Sequence, residues 1–124
     1  MGDRAVIQFK ATEEDQPINL YMHWGGSERY TLLADALEAA RPRWSDAEYA
    51  TRICVSQIIG DAWSSELNFG LSVGDDNSRQ GSYDVPCVVW DRNIVRFGDA
   101  LPAELSFDEF IEFAGARSMH PSGR

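Results

Sequence analysis

Apolar and polar positions alternate at period two in two stretches near the start of the chain. In residues 4–10, Ala5, Ile7 and Phe9 fall on one side. In residues 18–24, Ile18, Leu20, Met22 and Trp24 form one row, and Asn19, Tyr21 and His23 the other. Period two is the signature of a half-buried strand, and the polar run from Glu13 to Pro17 between the two predicts a hairpin loop. Gly25-Gly26 stops the second strand. The period then changes. Leu32, Leu33, Ala36, Leu37 and Ala40 recur at helical spacing over 28–41, with Ser27 or Thr31 available as a cap and Pro42 ending the run. Ser45-Asp46-Ala47-Glu48 has the form of a capping box and predicts a helix over 46–59, closed by Gly60. Alternation returns in 67–73, followed by a polar loop over 74–82. Residues 84–90 form a compact apolar run, with Pro86 placing its start at an edge or bulge. Asp91-Arg92-Asn93 turns the chain into a returning strand over 94–97. Ser106-Phe107-Asp108-Glu109 is a second capping box and opens a helix over 106–115.

The predicted order is β-β-α-α-β-β-β-α. Hairpins dominate it and no run of β-α-β units appears. The expected fold class is therefore α+β: a largely antiparallel sheet of about five strands with about three helices packed on one face. Residues 1–116 are expected to form a single domain, with 117–124 as a flexible C-terminal tail.

Length and composition fit that picture. The chain has 124 residues, 44% of them hydrophobic, enough for one core. No apolar run is long enough to span a membrane, and the opening Met1-Gly2-Asp3-Arg4 lacks the basic-then-apolar form of a secretory leader. Gly2 raises N-myristoylation, but Val6 stands where that motif needs Ser or Thr. Cys54 and Cys87 both lie in apolar runs without metal-like spacing, so two buried free thiols are expected, as in a reducing cytoplasm. The formal net charge is −9, which disfavours non-specific nucleic-acid binding. No metal-ligand cluster, nucleophile elbow or cofactor fingerprint appears. Asp75-Asp76-Asn77 has a calcium-like look but lacks the remainder of an EF-hand loop.

The candidate chemistry concentrates at His23-Trp24-Gly25-Gly26, where a strand passes through two glycines into a helix. Helix N-termini attract anions, and glycines let a ligand approach the backbone. His23 lies opposite the apolar row and is available for polar contacts. Arg4 or Arg52 nearby would complete an anion site. Each residue also has a structural reading: a plain turn for the glycines, core packing for Trp24, a hydrogen-bonding role for His23, and ion pairs for the arginines with Asp3, Asp46 and Glu48.

The opening Gly2-Asp3-Arg4-Ala5, the motif Leu20-Tyr21-Met22-His23-Trp24-Gly25-Gly26, and Arg43-Trp44-Ser45-Asp46 with Tyr49 and Arg52-Ile53 resemble a group of small proteins from tailed bacteriophages and bacteria. There the middle motif reads Leu-Tyr-Thr-His-Trp-x-Gly, so Met22 departs from it. The resemblance covers about the first half of the chain. It implies a phage- or prophage-type accessory protein in the cytoplasm of a bacterial host cell. It also marks Asp3, Arg4, His23, Trp24, Arg43, Asp46 and Arg52 as positions of interest. The first expectation is a binding protein without a cofactor, one that sequesters a nucleotide-like or other small anionic ligand or blocks a host protein. The second is an enzyme on a phosphorylated or nucleotide-like substrate with His23 as acid–base. The third is a module that forms homo-oligomers through an exposed sheet edge.

Overall fold

The computed structural model describes residues 2–75, 83–97 and 104–118. Most of the expected 74–82 loop and the end of the expected tail lie outside the described residues. The fold is α+β, with six strands and three α-helices among the described residues. The strands are β1 (Ala5–Lys10), β2 (Ile18–Met22), β3 (Phe69–Val73), β4 (Cys87–Val89), β5 (Ile94–Arg96) and β6 (Glu104–Ser106). The helices are α1 (Arg29–Ala40), α2 (Ala47–Ile59) and α3 (Phe107–Ser118). They make one sheet in the order β3-β2-β1-β4-β5-β6. Every pairing is antiparallel except β1 with β4. The strand absent from the sequence reading is β6, three residues long and too short to show an alternation.

Two of the helices start where their caps dictate. Ser106 and Glu109 form a reciprocal capping box at α3: the Glu109 N–H donates to Ser106 Oγ and the Ser106 N–H to Glu109 Oε1. α2 starts one residue later than the Ser45 pattern predicts, because Asp46 takes the cap position and accepts from the Tyr49 N–H. Neither Ser27 nor Thr31 caps α1.

One core forms between the sheet and the helices. Ala5, Ile7, Phe9, Leu20 and Met22 supply the sheet side, and Leu33, Leu37, Cys54, Ile58, Phe107 and Phe110 the helix side. Cys54 and Cys87 are both buried and free, as expected, and burial raises both thiol pKa values. β4 is buried throughout, in the middle of the sheet. The proline expected to mark an edge, Pro86, instead sits one residue before that strand, so it removes no ladder donor within it.

Candidate functional site

The expected site begins where β2 ends. The strand closes at Met22, two residues short of the predicted limit. Beyond it, Asn68 holds the chain from the side. Its Oδ1 accepts from the His23 N–H at 3.1 Å and the Trp24 N–H at 2.8 Å, and its carbonyl also accepts from His23. Asn68 does this from a positive φ of 81°, a conformation its short polar side chain tolerates. Because alternation stops at Met22, Trp24 leaves the apolar row. It is 58% exposed rather than packed in the core, its ring lying edge-on to His23 at 5.2 Å. His23 is half-buried, and its Nδ1 shares a 3.1 Å hydrogen bond with the Tyr21 hydroxyl.

The glycines serve the fold. Gly25 has a φ of +94°, the left-handed region that side chains disfavour. Gly26 is buried against the N-terminal segment, and a Cβ there would stand 2.5 Å from the Asp3 carbonyl oxygen. Its N–H donates to that same oxygen at 2.7 Å. Gly2 packs under the histidine in the same way, where a Cβ would meet His23 Nε2 at 2.7 Å. The close approach Gly26 allows is therefore of one backbone to another.

The anion expected beyond the glycines is already present within the chain. Asp3 Oδ2 accepts from the Ser27 N–H at 2.9 Å and the Ser27 hydroxyl at 2.8 Å, and Oδ1 accepts from the Tyr83 hydroxyl at 2.5 Å. These bonds, Tyr83's foremost, hold the carboxyl below its ordinary range. Beside it Arg29, only 9% exposed, lies between the rings of Tyr30 and Tyr83 at 4.3 and 4.4 Å. Its guanidinium pairs with Asp84 and donates to the Gly26 carbonyl. Tyr30 donates to the other Asp84 oxygen, and burial first, then that bond, pushes its phenol up to about 12. The resemblance marks Asp3, but nothing local in the sequence marks Arg29, Tyr30, Tyr83 or Asp84, since Arg29 and Asp84 are partners 55 positions apart.

The arginines do not converge here. Arg4 lies beside the turn through its backbone, and its side chain is exposed. Arg52 sits on α2 near Ile18 and Phe9, with a 3.4 Å contact to Ser56 Oγ. Since His23 lies five residues beyond Ile18, just past the end of β2, and so roughly 17 Å away at a strand's rise, Arg52 and His23 are at opposite ends of that strand. Arg43 pairs with Asp46 and lies over the Tyr49 ring, the ion-pairing role expected for it.

Arg52 instead borders a different concavity. Between α2 and the edge strand β3 runs a groove of about 540 Å³ floored by Phe9, Ile18 and Leu71 and walled by Val55 and Trp63. The register explains it. Ile18 pairs with Val73, Leu20 with Leu71 and Met22 with Phe69, so these side chains share the helix-side face of the sheet. Leu20 and Met22 are covered, whereas Leu71 and Val73 remain 59% and 70% exposed. Ile18, Trp63 and Leu67 are exposed as well. No family model matches this chain, and no curated protein or solved structure matches it. An apolar groove open along a sheet edge can cover apolar side chains of a partner; it offers little to a compact anion. Its signal in the sequence was the alternation of 67–73, read there only as a strand.

Proposed function

We propose that this protein is a binding domain that acts by occupying a partner protein, the contact surface being the groove between α2 and β3. The observation that supports this most directly is the exposed row Leu71 and Val73 beside Ile18 and Trp63, apolar surface the fold leaves open to solvent. The phage-like resemblance of the first half suits the same reading, an accessory protein working by occupancy in the cytoplasm of a bacterial host. The sequestered-anion reading fares less well, because Asp3 satisfies the turn and Asp84 satisfies Arg29. The enzyme reading needs a partner for His23. Among the described residues its ring bonds to the Tyr21 hydroxyl, and no cluster of metal-binding groups is present.

The test is site-specific photo-crosslinking in bacterial cells. A crosslinker replacing Val73 should give discrete protein adducts heavier than the 13.9 kDa chain, suppressed by Ile18→Asp. One replacing Trp24 should give none. Equal labelling from both positions, or none from Val73, overturns the proposal.

A further inference from the structure

Strand β3 forms one edge of the sheet, and its composition is unusual for an edge. Natural edge strands are guarded by charged side chains, proline or a bulge, since an open ladder recruits further strands. Phe69-Gly70-Leu71-Ser72-Val73 has neither charge nor proline, and its register with β2 runs unbroken over all five residues. The flanking bonds fix which groups face outward. His23 donates to the Asn68 carbonyl and Gly74 to the Pro17 carbonyl. Alternation in an antiparallel ladder then turns residues 68, 70, 72 and 74 toward β2, and the N–H and C=O groups of Leu71 and Val73 toward solvent. Of these two residues, Leu71 also lines the groove with its side chain, and Val73 pairs with Ile18, which lines it too.

Charge indicates what can pair there. Between Arg52 and Arg79 the chain carries Asp61, Glu66, Asp75 and Asp76 and no basic residue. Glu66 and Asp75 stand exposed just before and just after the strand, and Asp15 and Glu48 border the groove itself, outnumbering Arg52, the one basic side chain that lines it. A second copy of a chain with net charge −9 would bring like charges together along this edge, which disfavours it. A basic segment would be drawn to it.

Resting on the binding reading above, we infer that β3 accepts an extended, basic segment of the partner protein as an added strand. Main-chain hydrogen bonds to Leu71 and Val73 would hold it, its alternate apolar side chains would enter the groove, and its Lys or Arg side chains would meet Glu66, Asp75, Asp15 or Glu48. Affinity in this mode comes from the backbone and specificity from alternate side chains.

The probe is a synthetic heptapeptide of alternating Val and Lys with blocked ends, followed by fluorescence anisotropy on the full chain. The unmodified peptide should bind, with weaker binding as salt rises. The same peptide N-methylated at alternate amides on its pairing edge should bind at least about tenfold more weakly, as should a Val/Glu peptide. Leu71→Pro removes an outward N–H that the fold does not use, so it should stay folded by circular dichroism and lose binding about tenfold or more. Ser72→Thr, whose backbone faces β2, keeps the outward donors and should bind as the native chain does. Undiminished binding of the N-methylated peptide, or no binding of any probe, overturns strand addition. So does a concentration-dependent dimer abolished by Leu71→Pro, which would make a second copy the occupant. Crosslinking through Val73 combined with indifference to N-methylation leaves the groove as the binding surface and removes only the added strand; loss of that crosslink removes both.

Discussion

Gly26→Ala separates the structural account of the glycine turn from a ligand-binding one. The new Cβ would lie 2.5 Å from the Asp3 carbonyl oxygen, 2.9 Å from that of Arg4 and 3.0 Å from Ala5 Cβ. Two of the three are backbone atoms at the entry to β1, where the Asp3 N–H donates to the His23 carbonyl and the ladder with β2 begins at Ala5, so no flexible side chain can yield. Overpacking of a rigid site costs about 1–3 kcal/mol. Stretching or losing the 2.7 Å bond from the Gly26 N–H to Asp3 adds about 1 kcal/mol. The expected destabilisation is therefore about 2–4 kcal/mol. For 124 residues the unfolding entropy makes each kcal/mol worth about 4 °C in Tm, so the melting point should fall by roughly 8–16 °C. Gly25→Ala is the internal comparison. A Cβ there meets nothing within 4 Å, and only the φ of +94° opposes it, a penalty of about 1–2 kcal/mol. Urea denaturation should show both midpoints lowered at unchanged m, with Gly26→Ala lower than Gly25→Ala. A Gly26→Ala protein within about 0.5 kcal/mol of native, or more stable than Gly25→Ala, would refute the packing argument.

Two further outcomes follow from the electrostatics and the core. Glu13 is held from its ordinary 4.5 down to about 2, first by its hydrogen bonds to Arg96 and Arg92. A carboxyl with a lower pKa folded than unfolded stabilises the fold above the unfolded value and loses that contribution as pH falls through the folded one. Glu13→Gln should accordingly lower the urea midpoint at neutral pH and converge on the native chain between pH 4.5 and about 2, and a gap that persists at the acid end would contradict this. Cys54 is buried, and burial pushes its thiol up to about 12; it should resist a thiol reagent at neutral pH in the native protein. Both cysteines should react once the chain is unfolded without reductant, and recovery of no reactive thiol would show that a disulfide had been missed.

Most of the fold was legible because its elements carry strong local signals. β1, β2 and β3 alternate, α3 has a complete capping box, and the helix interiors repeat at helical spacing. What failed to read is non-local. β6 is too short to alternate. The parallel pairing of β1 with β4 joins segments some 80 residues apart, and no periodicity encodes which edge a strand joins. Trp24 illustrates the limit of periodicity itself. It continues the row of Ile18, Leu20 and Met22 in the sequence, but Asn68 captures the backbone at His23 and ends the strand before that row reaches it. The tryptophan therefore emerges into solvent. At the candidate site the sequence identified the turn and its glycines but not their occupant, since Asp3 and Tyr83 approach from distant parts of the chain. The groove was hidden for a different reason: an alternating strand looks the same whether the helix layer covers its apolar face or stops one strand short of it.

The two surfaces differ in what a ligand would have to displace. At the glycine turn, Asp3 already accepts three hydrogen bonds, and Arg29 is paired with Asp84 and stacked between two rings. An incoming anion would compete with these groups for the same donors, and every carboxylate bond it displaced would have to be replaced in kind. Along the groove nothing internal need be broken. Covering a side chain such as Leu71, Val73 or Ile18 stabilises a complex by up to about 1.5–3 kcal/mol if its burial is complete. These three and Trp63 are only 39–70% exposed in the free chain, so together they supply roughly 3–7 kcal/mol before main-chain bonds are added. Association costs an estimated 4–15 kcal/mol in lost freedom, so side-chain burial alone does not outweigh it. Net affinity must then come from the outward N–H and C=O groups of β3 and from charge pairing along its acidic rim. For this reason the backbone of the partner, more than its side chains, should decide whether a complex forms.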